Sequence, residues 1–329
     1  MISKVLCDLG KGQMRVLITG ITGMIGKHVA NLLHEHGCDI AGISRATSAS
    51  RYMHTKSYFK HYMGDILDTN FLKRVWKEWK PELIYHFAAQ AYNGESWEAE
   101  DTTYTLNVTG SRNVLNACKQ YSPNARVIPA CSSAEYGFVP EDMIPIREDV
   151  TLLRPITPYG VSKACLEMMS RQHHLNYGMD VVIPRLFIHV GPDHPPVTAL
   201  QNFAMQLAAI KHGQQDPVIK VGNLDSLRDF VDVRDGAKAL WLLANKGQSG
   251  EVYNVCTGKA WTMHESLNML IEISGLDIKI EQDRKLFRPS DEKVLLGDPS
   301  KLQLLGWKAE IPFRETLEDI YNNWLERLA

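Results

Sequence analysis

Apolar positions in the first half of the chain alternate between two periods. Arg15-Val-Leu-Ile-Thr19 is a short apolar run of the kind that forms a buried parallel strand. It leads into Gly20-Ile-Thr-Gly23-Met-Ile-Gly26, after which Val29, Leu32 and Leu33 recur at helical spacing until Gly37 ends the stretch. Residues 40–44 predict a second strand, completing a βαβ unit of about 30 residues. The rhythm then repeats. Strands are predicted at 58–63, 83–87, 126–130 and 180–186, with helices at 71–79, 104–121 and 158–177. Repeated alternation predicts an α/β fold, a Rossmann-type doubly wound parallel sheet.

Beyond Phe187 the rhythm loosens. Gly191-Pro192 and Pro195-Pro196 mark a loop, helices are predicted at 200–212, 233–244, 263–274 and 313–328, and strands at 218–221 and 252–255. The expected organisation is a dinucleotide-binding domain over 14–186, with returning segments around 228–257, and a smaller mixed α/β substrate lobe over 187–329. Residues 1–13 carry Lys4, Asp8 and Lys11 and lack the apolar core of a secretory signal. They read as a loosely held extension, or Met14 as an alternative start.

Composition narrows the function without choosing it. Lys+Arg at 36 against Asp+Glu at 38 gives a net charge of -2, which argues against a polybasic nucleic-acid or membrane-surface binder. No apolar run reaches the roughly 20 residues that span a bilayer. Six scattered cysteines without a CxxC pair, and twelve histidines without HExxH, argue against a disulfide framework and a metal site. A cytoplasmic location is the resulting expectation.

The glycine triplet carries the first chemistry. Placed between a strand and a helix, it provides a tight turn, a backbone that can approach a pyrophosphate, and free N–H groups at the helix start. Its spacing is GxxGxxG, so a structural turn stays open beside dinucleotide binding. The second strand ends in Ser44-Arg45, with Arg51 beyond it, where an NAD site commonly carries an acid. A guanidinium there suits a 2′-phosphate, which favours NADP(H) over NAD(H); the alternative is a solvated loop arginine. Tyr159 and Lys163 lie one helical turn apart, after the Ser132-Ser133 segment. Tyr52 and Lys56 share that spacing, but they follow the second strand and read as surface residues. A free tyrosine, with a pKa of about 10, is a poor base at neutral pH, and a neighbouring ammonium favours its phenolate. Tyr159 is then the proton carrier for a carbonyl oxygen, with Ser132 holding that oxygen and Lys163 the cofactor ribose.

Taken together, Thr19–Gly26, Gly64-Asp65, Phe87-Ala-Ala-Gln90, Leu106-Asn-Val108, Cys131-Ser-Ser-Ala-Glu-Tyr-Gly137, Pro158-Tyr-Gly-Val-Ser-Lys163 and Arg228-Asp-Phe230 resemble an extended short-chain dehydrogenase/reductase from Met14 to the C-terminus. Lys220–Phe230, Phe287-Arg-Pro-Ser-Asp291 and Leu296-Gly-Asp-Pro299 are most similar to its GDP-mannose branch, and there to the 4-keto reductases. The resemblance implies that Gly20, Gly23, Met24, Ile25, Gly26, Ser44, Arg45, Asp65, Ile66, Ala88, Ala89, Gln90 and Leu186 line the cofactor site with Tyr159 and Lys163. Asp65 would meet adenine, and Asn107 would support the Tyr–Lys pair. Ser133, Glu135, His189, Lys220, Arg228, Arg288 and Asp291 would contact a GDP-linked sugar, the two arginines at its phosphates.

Two departures bear on the reaction. Related 4,6-dehydratases carry an acid where this chain has Ala134, and alanine cannot move a proton; Glu135, one place on, is a rescue only if the register shifts. Ile188 stands where the similar enzymes have a substrate-contacting Asn. Three readings therefore compete: an NADPH-dependent reductase acting on C4 of GDP-4-keto-6-deoxy-D-mannose, a dehydratase or 4-epimerase that retains its cofactor, and a non-catalytic NADP(H) sensor. By analogy, the helices at 104–121 and 158–177 pair two copies as a homodimer.

Overall fold

The first strand, β1 (Arg15–Thr19), is buried at every position but its first, so it belongs in the middle of a sheet covered on both faces. The computed structural model describes residues 13–45, 58–287 and 292–329. After β1 come α1 (Met24–Glu35), β2 (Asp39–Ser44), β3 (Phe59–Met63), α2 (Thr69–Trp79) and β4 (Leu83–His86). Next are α3 (Glu100–Tyr104), a π-helical segment (Thr105–Gly110), α4 (Ser111–Tyr121), β5 (Arg126–Pro129), β6 (Cys131–Ser132) and α5 (Pro158–Tyr177). The helix boundaries follow local chemistry. Asp68 caps α2 by accepting from the N–H groups of Asn70 and Phe71. Thr157 caps α5, Pro158 opens it, and Gly178 closes it in the left-handed conformation.

The parallel strands run in the order β3-β2-β1-β4-β5, followed by β7 (Asp180–Val181). The chain leaves β1 in one direction and returns beyond it at β4. The crevice at the carboxyl ends of β1 and β4 is therefore the switch point where such sheets bind ligands. The apolar stripe of α1 (Val29, Ala30, Leu33) covers one face, and α2 and α4 cover the other with Phe71, Leu72, Trp76, Val114 and Leu115.

The strand expected over 180–186 is divided: β7 pairs with β5, whereas β8 (Ile183–Leu186) pairs with β6 and with β12 (Val252–Val255). The loosened second half also holds strands that the apolar pattern does not predict. They are β9 (Ile188–Val190), β11 (Leu227–Asp232), β13 (Ala260–Thr262), β14 (Lys279–Gln282) and β15 (Val294–Leu295). β11 pairs with β9, β13 and β15, and β14 pairs with β10 (Val218–Val221). Around them pack α6 (Ala199–Lys211), α8 (Met263–Ser274) and α10 (Phe313–Leu328), on a core that includes Leu207, Leu267 and Ile320. α7 (Val233–Lys246) instead contributes Leu240 and Leu243 to the core beneath α1, and a short α9 (Ser300–Gln303) adds Leu302 there. No helix among the described residues is long and apolar enough to cross a membrane.

Candidate active site

The glycine turn forms the floor of the switch-point crevice. Gly20 has φ +75°, and a Cβ there would lie 2.8 Å from the Ala88 nitrogen, so the first turn and the end of β4 touch through backbone alone. Thr19 Oγ1 secures the same contact by accepting from Ala88 N–H at 3.2 Å. A Cβ on Gly26 would meet the Gly20 carbonyl at 2.5 Å, which presses α1 onto the turn. Gly23 is the N-cap of α1 without a side-chain cap, and no acid sits in the first turn that begins with Met24 and Ile25. Uncapped N–H groups and an unopposed helix dipole fit an anionic diphosphate.

Around this floor, Ala88, Ala89, Gln90 and Asp65 are partly exposed, and Ile66 is buried against Gly110. Asp65 uses Oδ1 to accept from Leu67 N–H at 2.9 Å. At the tip of β2, Ser44 Oγ bonds His61 Nε2 at 2.7 Å, and Arg45 is exposed. Arg51, Tyr52 and Lys56 lie outside the described residues, as do Arg288 and Asp291.

The catalytic candidates meet where α5 begins. A Cβ on Gly160 would lie 2.5 Å from the Ala134 carbonyl, so this glycine lets the first turn of α5 rest on the short turn Ser133–Glu135. Tyr159 is thereby brought to the Ser132 turn. Lys163 is buried; its Nζ stands 5.7 Å from the Tyr159 ring centre and donates to the Ala130 carbonyl at 2.7 Å. Leu186 is the register partner of Ser132 on the neighbouring strand.

Asn107 lies in the π-helical segment, a local widening of the kind found at functional sites. Its Nδ2 donates to the Gln90 carbonyl and to Ser162 Oγ, both at 2.9 Å, and its Oδ1 accepts from Gln90 N–H at 2.8 Å. Ser162 Oγ in turn donates to the Tyr159 carbonyl at 2.7 Å. The cofactor loop after β4 and the tyrosine turn are thus joined through one asparagine and one serine. Ser162 is a residue that sequence reasoning passed over, although it sits inside the Tyr159–Lys163 motif. His86 was missed as well. Buried beneath the glycine turn, it bonds Thr19 Oγ1 at 2.7 Å and Ser111 Oγ at 2.8 Å. Burial first, and the Lys163 charge second, push its pKa down to about 3, so it is a neutral strut.

Two of the expected sugar contacts are placed elsewhere. Glu135 is fully buried, with Oε1 accepting from Ser132 N–H at 2.7 Å, so it faces the interior and offers nothing to a sugar or to an elimination. His189 packs its Nε2 against α7, where a Cβ on Gly236 would lie 2.3 Å away, and its Nδ1 bonds the Phe187 carbonyl at 2.9 Å. Burial pushes its pKa down to about 4, which makes it a neutral packing residue. Ser133 is also buried. Arg228, on β11, donates from Nη1 to the carbonyls of Leu227 and Glu292, the latter beside the undescribed 288–291. Lys220 is exposed on β10 and pairs in register with Glu281. A surface cavity of about 570 Å³ is lined by Gln282, Arg284 and Phe287, at and just beyond the end of β14; none of these belongs to the glycine turn or to α5. One grouping of three potential metal ligands occurs among the described residues, Cys131, Glu135 and Glu167, and Arg185 already stands there as its cation.

Residues 17–320 match the family model described as GDP-mannose 4,6 dehydratase. A GDP-6-deoxy-D-mannose reductase from Pseudomonas aeruginosa is 30% identical over 315 residues, covering 95% of this chain and 98% of that protein. A GDP-mannose 4,6-dehydratase from Yersinia enterocolitica is 30% identical over 344 residues, covering 92% and 91%. Among solved structures, RMD from Pseudomonas aeruginosa complexed with NADPH superposes with a TM-score of 0.82 at 28% identity, covering 96% of this chain and 100% of that one.

Proposed function

This chain belongs to the GDP-mannose 4,6-dehydratase family and is an NAD(P)-dependent enzyme of the extended short-chain dehydrogenase/reductase type that acts on nucleotide sugars; we propose that it is a reductase within that family. It would convert GDP-4-keto-6-deoxy-D-mannose to GDP-6-deoxy-D-mannose with NADPH. The observation that carries this reading is the burial of Glu135 beside Ala134. An elimination across C5 and C6 needs a carboxylate at the sugar, and the segment that would provide it offers a methyl group and a sealed acid. Reduction at C4 needs only an oxygen-binding hydroxyl and a proton donor, and Ser132 and Tyr159 supply both. The reductase from Pseudomonas aeruginosa supports the same choice; the Yersinia dehydratase at equal identity is the reason to test it.

Each residue then has one task. The glycine turn and the open start of α1 hold the dinucleotide phosphates, and Arg45 meets a 2′-phosphate, which favours NADP(H) over NAD(H). NADPH, when bound, supplies the hydride. Ser132 fixes the C4 oxygen, Tyr159 gives it a proton, and Lys163 stabilises the charge left on the phenol. The sugar's diphosphate is assigned to Arg228 and Arg288, with Lys220 nearby, and the guanosine ribose to Asp291. The nucleotide-sugar lobe is 187–329. The expected result is loss of dihydronicotinamide absorbance in proportion to the keto sugar added. If GDP-mannose is instead turned into a keto sugar with no net cofactor change, the protein is a dehydratase.

The protein is also proposed to work as a homodimer through α4 and α5, because Met168, Leu175 and Tyr177 leave apolar surface exposed along α5. Light scattering should give twice the 37.2 kDa chain mass; a particle of one chain would reject the dimer.

A further inference from the structure

Sealed from solvent beneath the Ser132 turn is a group of ionisable side chains that the proposed chemistry does not use. Glu135 and Glu167 are 0% exposed and Arg185 only 2%. Arg185 engages Glu167 through both carboxylate oxygens: Nη2 donates to Oε1 at 2.7 Å and Nε to Oε2 at 2.8 Å. Its remaining nitrogen, Nη1, donates to the Tyr136 hydroxyl at 2.7 Å. The guanidinium fork is thereby committed, and Glu135 comes no nearer than 3.9 Å, from its Oε2 to Arg185 Nε. Glu135 Oε1 accepts from Ser132 N–H, while Oε2 is buried without a donor. Arg185 and Arg171 are both hydrogen-bonded to Glu167, so a charge on Glu135 Oε2 would lie without a donor of its own in a dry site within 4.8 Å of the first, and such a pair keeps one proton. With a proton on Oε2, the orphaned acceptor becomes a donor towards the Glu167 carboxylate.

We propose that Glu135 is a positioning residue: it shares one proton with Glu167 and, as a neutral acid, locks the backbone of Ser132 so that the serine hydroxyl meets the substrate oxygen. The positioning half rests on the reading of Ser132 given above; the shared proton does not.

The surroundings agree. Glu135 is pushed up to about 8, by burial first and by the Glu167 charge next, against the opposing pull of Ser132 N–H and Arg185. Burial also raises Glu167, but its bonds to Arg185 and the nearby Arg171 outweigh this and hold it low. The other groups facing the pair are Cys131 from β6, Tyr136 from the Ser133 turn, and Lys163 and Cys165 from α5. Burial raises the Cys131 thiol and the Tyr136 hydroxyl, so both stay neutral. Arg185 and Arg171 therefore hold the single Glu167 charge, with the one proton on Glu135 beside it.

Glu135→Gln keeps an acceptor for Ser132 N–H and a donor for Glu167 but cannot titrate. It should retain kcat within about threefold, whereas Glu135→Ala should lose more than about tenfold in kcat with KM for NADPH unchanged. The proton is read separately, from melting temperature against pH. A carboxyl raised on folding takes up a proton between its unfolded pKa, about 4.3, and its folded value, so the wild type loses stability relative to the Gln variant as pH rises through that window. The Gln variant should therefore gain on the wild type by at least about 3 °C from pH 5 to pH 8. A pH-independent difference would overturn the shared proton. A Gln variant as slow as Ala, or an Ala variant as fast as wild type, would overturn the positioning role. If the Ala variant does not fold, the Gln kinetics and the melting curves decide. If wild-type protein consumes no NADPH at all, the reductase reading fails, and the melting curves still judge the proton.

Discussion

Tyr159→Phe is expected to lower kcat about a thousandfold while leaving KM for NADPH within about threefold, because general acid catalysis contributes roughly a hundred- to ten-thousandfold. The substitution removes one oxygen and little else. The ring keeps its place beside Lys163, whose Nζ is anchored on the Ala130 carbonyl and does not depend on the phenol. The Tyr159 carbonyl still accepts from Ser162, and Thr157 still caps the helix. On the proposed reading, what is lost is the proton for the C4 oxygen, an interaction made as charge develops there, so kcat and kcat/KM should fall together. Tyr52→Phe, with the same spacing to Lys56, should leave both unchanged. Steady-state kinetics of the two variants check this. A Tyr159→Phe enzyme with more than a tenth of wild-type kcat would remove Tyr159 from the chemistry.

Arg185→Met should cost about 3–5 kcal/mol of stability, because it removes the buried cation from Glu167 and leaves that sealed carboxylate only the part-exposed Arg171. The side chain is 3% exposed and holds Glu167 and Tyr136 by three hydrogen bonds, so neither methionine nor water can take its place. The loss has a pH signature. Glu167 is held low in the fold, so its contribution is present above its unfolded pKa and is lost as pH falls through the folded one. In the variant Arg171 alone opposes burial, so the same carboxyl rises relative to the wild type and contributes less at neutral pH. The gap between variant and wild type should therefore be widest near pH 7 and shrink towards pH 4.5, as seen in urea unfolding at the two pH values. A loss below about 1 kcal/mol, or one independent of pH, would show that the cluster carries no net ionic stabilisation.

The parts of the molecule legible in its sequence are those set by local pattern. β1, the glycine turn and α1 follow from an apolar run, three glycines and a helical stripe, and α5 lies where Pro158, the Tyr–Lys pair and Gly178 place it. β11 was hidden because its pattern contains two acids. Asp229 and Asp232 are buried, with Asp229 bonded by Thr257 and Gly258 and Asp232 by Arg234 and Thr316. These partners lie in other elements, and no window of sequence contains the whole set. The π-helical segment that presents Asn107 was likewise invisible, since 104–121 reads as one apolar-striped helix. Glu135 was misplaced for a related reason. A glutamate beside an active-site serine reads as exposed chemistry, and only the fold shows Arg185 and Glu167 closing over it.

The most direct test follows deuterium. The enzyme is incubated with GDP-4-keto-6-deoxy-D-mannose and NADPH carrying deuterium at the transferable position of the nicotinamide, and the sugar is read by NMR. The account predicts a reduced sugar with one deuterium at C4 for each NADPH oxidised, formed about a thousandfold more slowly with Tyr159→Phe. A sugar converted without deuterium at C4, or GDP-mannose dehydrated while NADPH stays intact, would contradict it.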